Sequence, residues 1–245
     1  MRKLSLVSVL LLATLCAAQT KTPVLVELFT SEGCSSCPPA DQLLIRLERE
    51  QPVAGADVIV LGEHLDYWDQ LGWRDRFSSS RFTDRQQTYA NHFGINGPYT
   101  PQMIVNGSVE LVGNDSDKAL QTIQRAAHPS ASLPAIHIER AGDHLHVAVT
   151  GAGSRGVNVL CAITERDLST RVGDGENRGR ELHHTAVVRD LRKLGTTRDG
   201  RFESDYPLHF SPDWRPENLR AVVFLQNGNA GPISGAAQIA LAPAK

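Results

Sequence analysis

Several classes of protein are set aside by what this chain has little of. Its 25 Lys+Arg and 27 Asp+Glu leave a formal net charge of −2, so no cationic surplus points to nucleic acid. Beyond residue 15 no stretch approaches the ~18 uninterrupted apolar residues that a membrane-spanning helix needs. Cysteine is scarce, with four residues in 245, and C-x-x-C occurs once, at Cys34 and Cys37. A four-cysteine zinc site needs a second such pair, and histidines would have to complete any smaller set. No internal repeat is detectable. The length then allows one large or two ordinary domains.

What is present begins with an export pattern. Arg2 and Lys3 precede an apolar run over residues 4–15, followed by Cys16-Ala17-Ala18. These are the three regions of a secretory signal peptide, residues 1–18, cleaved near Ala18. The mature chain is expected to be secreted or periplasmic and free of membrane spans. It keeps Cys34, Cys37 and Cys161, an odd number in an oxidising compartment. Cys161 keeps step with Val157, Val159 and Ile163 in a strand pattern, so it reads as a buried, inert core thiol.

Residues 24–29 form an apolar run broken only by Glu27, as in a strand covered on both faces. Gly33 turns the chain. From residue 41 to 50, Leu43, Leu44 and Leu47 share one helical stripe. The two cysteines should therefore open a helix, where unpaired N–H groups and the helix dipole favour a thiolate. Cys37, one turn on, can close a disulfide or resolve a mixed one. Pro38 and Pro39 cost little in a first turn, whose N–H groups have no intrahelical acceptor. A structural disulfide and half of a metal site are the other readings of the same pair.

Residues 57–61 read as a second buried strand, followed by His64, Asp66, Tyr67, Trp68 and Trp73. If the two strands are parallel neighbours, His64 projects near the Cys34 turn, where it can stabilise a thiolate or shuttle its proton. A hydrogen-bonded loop histidine is the plainer alternative. The aromatic residues form either the floor of a substrate groove or ordinary packing. Residues 80–93 read as a helix ended by Gly94. Asn106-Gly107 marks a two-residue hairpin, and Asn114 or Asp115 caps a last helix.

The order strand, C-x-x-C helix, strand, helix, Thr-Pro-strand, hairpin, helix resembles a thioredoxin fold. That resemblance implies a cis-proline at Pro101, packed against the active disulfide. The segment from Glu27 to Asp41, ELFTSEGCSSCPPAD, is more closely similar to DUF1223, a family of bacterial secreted proteins of unknown function. His64-x-Asp66-Tyr67-Trp68-x-x-Leu71-Gly72-Trp73 and Tyr99-Thr100-Pro101-Gln102-Met103 also resemble it. The similarity covers nearly the whole mature chain and implies a fold and a redox pair, not a substrate. Ser35-Ser36 stands where thioredoxins usually carry Gly-Pro, and a helical stretch at about 65–93 is inserted.

After Pro129 and Pro134, which bracket a short linker, the apolar period changes to two. Residues 135–140 and 144–150 form a hairpin, and strand patterns recur at 157–164, 183–191, 219–226 and 233–241. This spacing predicts an all-β sandwich of immunoglobulin type over 134–245, after an α/β thioredoxin-like domain over 22–129. Trp214 and Phe224 are expected in its core. Residues 175–184, rich in glycine and charge, read as a surface loop; docking on the first domain or anion binding is the alternative. His137, His144 and His146 have metal-ligand spacing but no carboxylate or cysteine in the pattern to complete a site.

The leading expectation is an exported thiol–disulfide exchange protein, with Cys34 as nucleophile, Cys37 resolving, Pro101 presenting backbone to a bound peptide, and His64 assisting. Its partners are protein or peptide thiols and disulfides, and no cofactor is expected. The alternatives are a soft-metal handler holding copper through Cys34, Cys37 and His64, and a non-catalytic interaction module braced by a structural disulfide.

Overall fold

The computed structural model describes residues 21–242, so the expected signal peptide, 1–18, lies outside the described residues. The first strand, β1 (Thr22–Thr30), leads through the cysteine turn into α1 (Pro38–Glu50) and back to β2 (Ala56–His64). The two strands are parallel, from Thr22 opposite Ala56 to Thr30 opposite His64. Both run longer than their apolar cores, and His64 is the last residue of β2 rather than part of a loop. A single 3-10 turn (Asp66–Trp68) and an irregular stretch precede α2 (Ser80–Phe93). Only the second half of the expected insertion is thus an α-helix. Ser79 caps it by accepting from the Arg81 N–H, and Gly94, with φ 66°, ends it.

Strands β3 (Gln102–Val105) and β4 (Val109–Val112) form the hairpin, followed by α3 (Ser116–Ala126). Val105 pairs with Val109, so the turn has three residues and not the expected two. Asn106 is the reason. Its side-chain oxygen accepts from the Leu25 N–H at 2.7 Å, its N–H bonds Leu25 O, and its carbonyl accepts from Ile233 N. Asp115, not Asn114, caps α3, accepting from the Lys118 N–H.

The remainder comprises β5 (Ala135–Ala141), β6 (His144–Thr150), β7 (Asn158–Glu165), β8 (Leu168–Arg171), β9 (Glu181–His184), β10 (Val187–Thr196), β11 (Phe202–Pro207), β12 (Leu219–Gln226) and β13 (Ile233–Ala240). The predicted strand at 183–191 is two strands, split where the chain leaves one sheet for another. Strand β11 escaped the sequence pattern because it alternates half-buried and exposed residues and carries Glu203 and Asp205 on its exposed side.

The result is a mixed α/β fold with one eight-stranded sheet, ordered β13-β12-β7-β10-β2-β1-β3-β4, a three-stranded sheet β11-β6-β5, and the β8–β9 ribbon. Residues 130–133 form an irregular connection, yet the large sheet continues across the two halves of the chain. The join is between β2 and β10, where the Gly62 N–H bonds Ala186 O at 2.8 Å. A Cβ at Gly62 would lie 3.2 Å from Thr185 O, so glycine permits this approach.

Alternation along β1 divides the core. Val24, Val26 and Leu28 pack with Leu43, Leu44 and Leu47 of α1 and with Ala119 and Ile123 of α3. Leu25 and Phe29 face Phe82 and Tyr89 of α2 and Phe224 of β12. Glu27, the charge inside the apolar run, is fully buried against Arg85, whose Nε lies 2.8 Å away, and accepts from Tyr89 Oη at 2.6 Å. A third core fills the space between the three-stranded sheet and the large one, from Leu145, Val147 and Val149 to Val159, Ile163, Val223 and Leu225. Phe224 is fully buried, whereas Trp214 is half-buried at the margin of that third core. Among the described residues no helix is long and apolar enough to cross a membrane.

Candidate functional site

Beyond β1 the chain folds into a tight turn, with Cys34 N–H on Ser31 O and Cys37 N–H on Cys34 O, each 3.2 Å. Cys37 is the N-cap of α1, and prolines fill the next two positions. The helix therefore opens at Cys37, and Cys34 sits in the turn before it. Two prolines without N–H groups set this boundary, since Pro38 can begin a helix but cannot extend one backward. Cys34 and Cys37 form a disulfide, with Cα atoms 5.4 Å apart.

The Thr100–Pro101 peptide bond is cis, and the Thr100 hydroxyl lies against the disulfide, donating to Cys34 Sγ at 3.3 Å. Trp68 Nε1 donates to the same hydroxyl at 3.0 Å. Ser36 Oγ is 3.4 Å from Cys34 Sγ. Pro101 is held from behind by its carbonyl, which accepts from Gly113 N at 2.8 Å.

His64 has a different setting from the expected one. It is buried among other ionisable groups at the ends of β1 and β2, in a cluster with Glu32, Asp41, Asp75 and His184. His64 Nδ1 is 2.6 Å from Asp75 Oδ2, and its ring packs edge-on against Phe77 and His184. Asp75 also accepts from the N–H groups of Glu32 and Phe77, both at 2.9 Å. Burial alone would lower the His64 pKa, but the Asp75 carboxylate outweighs it and holds His64 above its usual value. The same pairing overcomes burial at Asp75 and holds that carboxyl below its usual value. Each partner thus favours the charged form of the other.

Asp41, one turn along α1 from Cys37, belongs to this cluster. It accepts from Thr30 Oγ1 at 2.9 Å, and His184 Nδ1 lies 3.9 Å from its other oxygen. Burial pushes its pKa up to about 7, against the lowering pull of His184. Glu32 accepts from Trp73 Nε1 at 2.8 Å and lies 3.3 Å from His184 Nε2. Trp73 is tied to the turn by its indole N–H and packs against Gly173 and Gly175. Tyr67 and Leu71 are the exposed apolar residues of the 65–73 segment, Leu71 at 60%.

The 175–184 loop docks on this site. Its last four residues are β9 and the rest lies in the 172–180 connection from β8, where the Asn177 carboxamide donates to Glu32 O and Cys34 O, both at 2.9 Å. Ser35 N–H donates to Glu176 Oε2 at 3.1 Å. Cys34 and Cys37 are each 0% exposed, although Ser35 and Ser36 between them are exposed.

The copper alternative named Cys34, Cys37 and His64. The two sulfurs are bonded to each other, and His64 Nδ1 is committed to Asp75. Among the described residues no group of three or more His, Cys, Asp or Glu side chains is arranged to hold a metal ion. His137, His144 and His146 face Glu139, Asp143 and Asp205 as surface pairs. Cys161 is buried in the third core, and burial pushes its thiol up to about 12.

Sequence reasoning missed Asp41, Asp75, His184, Asn177 and the Thr100 hydroxyl as members of the site. Glu32 and Asp41 stood within the cysteine motif, but no spacing rule joins them to His184, in the far half of the chain.

A family model described as "Protein of unknown function (DUF1223)" matches residues 25–226. No curated protein matches the chain. A protein of Agrobacterium tumefaciens, solved by X-ray crystallography, is 31% identical with a TM-score of 0.72, the alignment covering 91% of this chain and 96% of that one. On the family match, which spans the cysteine turn, the Thr-Pro loop and the docked hairpin alike, the chain belongs to the DUF1223 family.

Proposed function

We propose that the protein is an exported thiol–disulfide exchange protein, built on a thioredoxin-like unit over 22–129 and extended by a sandwich-like β unit from residue 134. The observation that carries this reading is the Cys34–Cys37 pair itself, formed at the head of α1 with the Thr100 hydroxyl directed at Cys34 Sγ. A hydroxyl donor there stabilises a thiolate at that sulfur. The parallel β1-α1-β2 unit followed by the antiparallel β3–β4 hairpin supports the thioredoxin-like part.

In the oxidised form, a partner thiolate attacks Cys34 Sγ, the Cys34–Cys37 bond breaks, and Cys37 leaves as a thiolate that takes up a proton. A second partner thiolate then attacks its own sulfur in the mixed disulfide and expels Cys34. Two electrons pass from partner to protein, and the partner gains the disulfide. The reverse sequence, begun by Cys34 attacking a partner disulfide, reduces the partner.

Complete burial of both sulfurs favours a second reading, in which the disulfide only braces the cysteine turn. The reduction potential separates the two. Equilibration with a dithiol redox buffer should place an exchangeable pair clearly above about −300 mV. A value below that limit removes the exchange reading and leaves the brace.

A further inference from the structure

A disulfide that exchanges with a partner must be reachable, and this one is not. Ser35 and Ser36 are open to solvent, so the cysteine turn is at the surface. A segment from the far half of the chain is bonded to its backbone. Asn177 is fully buried between the exposed neighbours Glu176 and Arg178. Arg180 Nη1 donates to Asn177 Oδ1 at 2.8 Å, which aims both N–H donors of the amide at Glu32 O and Cys34 O. Glu176 adds the bond from the Ser35 N–H.

We propose that the tip of the β8–β9 hairpin, residues 173–178, is a gate over the Cys34–Cys37 disulfide, closed by Asn177 and opened by an incoming polypeptide main chain. The contacts that hold it shut are polar. Three hydrogen bonds join it to the cysteine turn, and Gly173 and Gly175 lie against the Trp73 side chain. Asp174, Glu176 and Arg178 are exposed, so the tip contributes almost no apolar burial of its own. A segment held this way belongs to the low-stability end of a structure. Its base is firmer: Val172 and Arg180 are paired by the Val172 N–H to Arg180 O bond at 2.9 Å, and His184 anchors β9 in the buried cluster. Gly175 and Gly179, at φ 72° and 81°, flank Asn177 within the loop.

The vacated groups define what can replace the tip. Glu32 O and Cys34 O require donors, and Ser35 N–H requires an acceptor. An extended peptide supplies both along its own backbone, whatever its side chains. The identity of that occupant rests on the exchange reading above; the gate itself does not.

The test measures access alone. Oxidised protein is treated with the uncharged reductant tris(hydroxypropyl)phosphine, which reduces the disulfide to two thiols as it becomes the phosphine oxide, and thiol release is followed in time. Asn177→Ala removes two of the three bonds and should accelerate reduction about tenfold or more, whereas Glu176→Gln weakens one and should accelerate it about threefold. Asn177→Ala rates within twofold of the parent overturn the gate, as does a parent disulfide reduced as fast as that of a short C-x-x-C peptide. Should Asn177→Ala fail to fold by circular dichroism, Glu176→Gln decides by itself, because its side chain is exposed. A low reduction potential with these accelerations keeps the gate and removes the exchange function. An exchangeable potential with unchanged rates does the opposite.

Discussion

Replacing Asp41 by asparagine should make the protein more stable, and more so as pH rises. The carboxyl is buried, and its pKa is displaced from 3.8 to about 7, with burial the largest cause. Between those values the folded protein keeps a proton that the unfolded chain releases, so stability falls as pH rises through that window. At about 1.4 kcal/mol per pH unit, the full cost is about 4 kcal/mol, reached above pH 7. Asparagine has no proton to lose and still offers an oxygen to Thr30 Oγ1. The assay is urea unfolding of parent and Asp41→Asn, both oxidised, at intervals from about pH 4 to about pH 8. The difference should start near zero and grow to a few kcal/mol in favour of the variant. A difference that stays flat with pH, or grows in favour of the parent, refutes the reasoning.

Thr100→Val removes the hydroxyl that donates to Cys34 Sγ. A hydrogen bond to a charged group contributes about 1.5–3 kcal/mol, so alkylation of reduced Cys34 near neutral pH should slow about tenfold or more, while Thr100→Ser keeps the parent rate. Equal rates for the two variants would rule the hydroxyl out. His64→Ala strands the Asp75 carboxylate in the interior, and breaking one side of a buried ion pair costs about 3–5 kcal/mol. A denaturation midpoint that corresponds to less than about 1 kcal/mol would show that the pair is not structural.

Local features of the site were legible because they depend on neighbouring residues. Glycine and two prolines around Cys34 and Cys37 dictate a turn followed by a helix start, and the stripe of Leu43, Leu44 and Leu47 dictates which face of that helix is buried. Ser79, Gly94 and Asp115 mark helix ends by chemistry that acts within a few residues. The period of two in β6 and the apolar run of β12 made the later strands readable. Where the pattern misled, a distant partner had intervened. Asn106 lengthened its turn because its backbone and side chain bond to β1 and β13.

The tertiary structure alone decided what surrounds the sulfurs. His64 ends β2, but which acid it meets depended on how residues 69–79 fold back, and that stretch has no periodic signal. The Asp41 and Glu32 carboxylates share a pocket with His184 because β9 is carried there by a sheet that joins the two halves of the chain at Gly62 and Ala186. Sequence separation carries no information about such meetings, since the cost of closing a loop grows only slowly with its length. By itself the sequence determined that a turn carrying two cysteines leads into a helix. Which backbone groups of their turn are engaged was decided by a hairpin some 140 residues away, held by directional hydrogen bonds that leave no periodic trace.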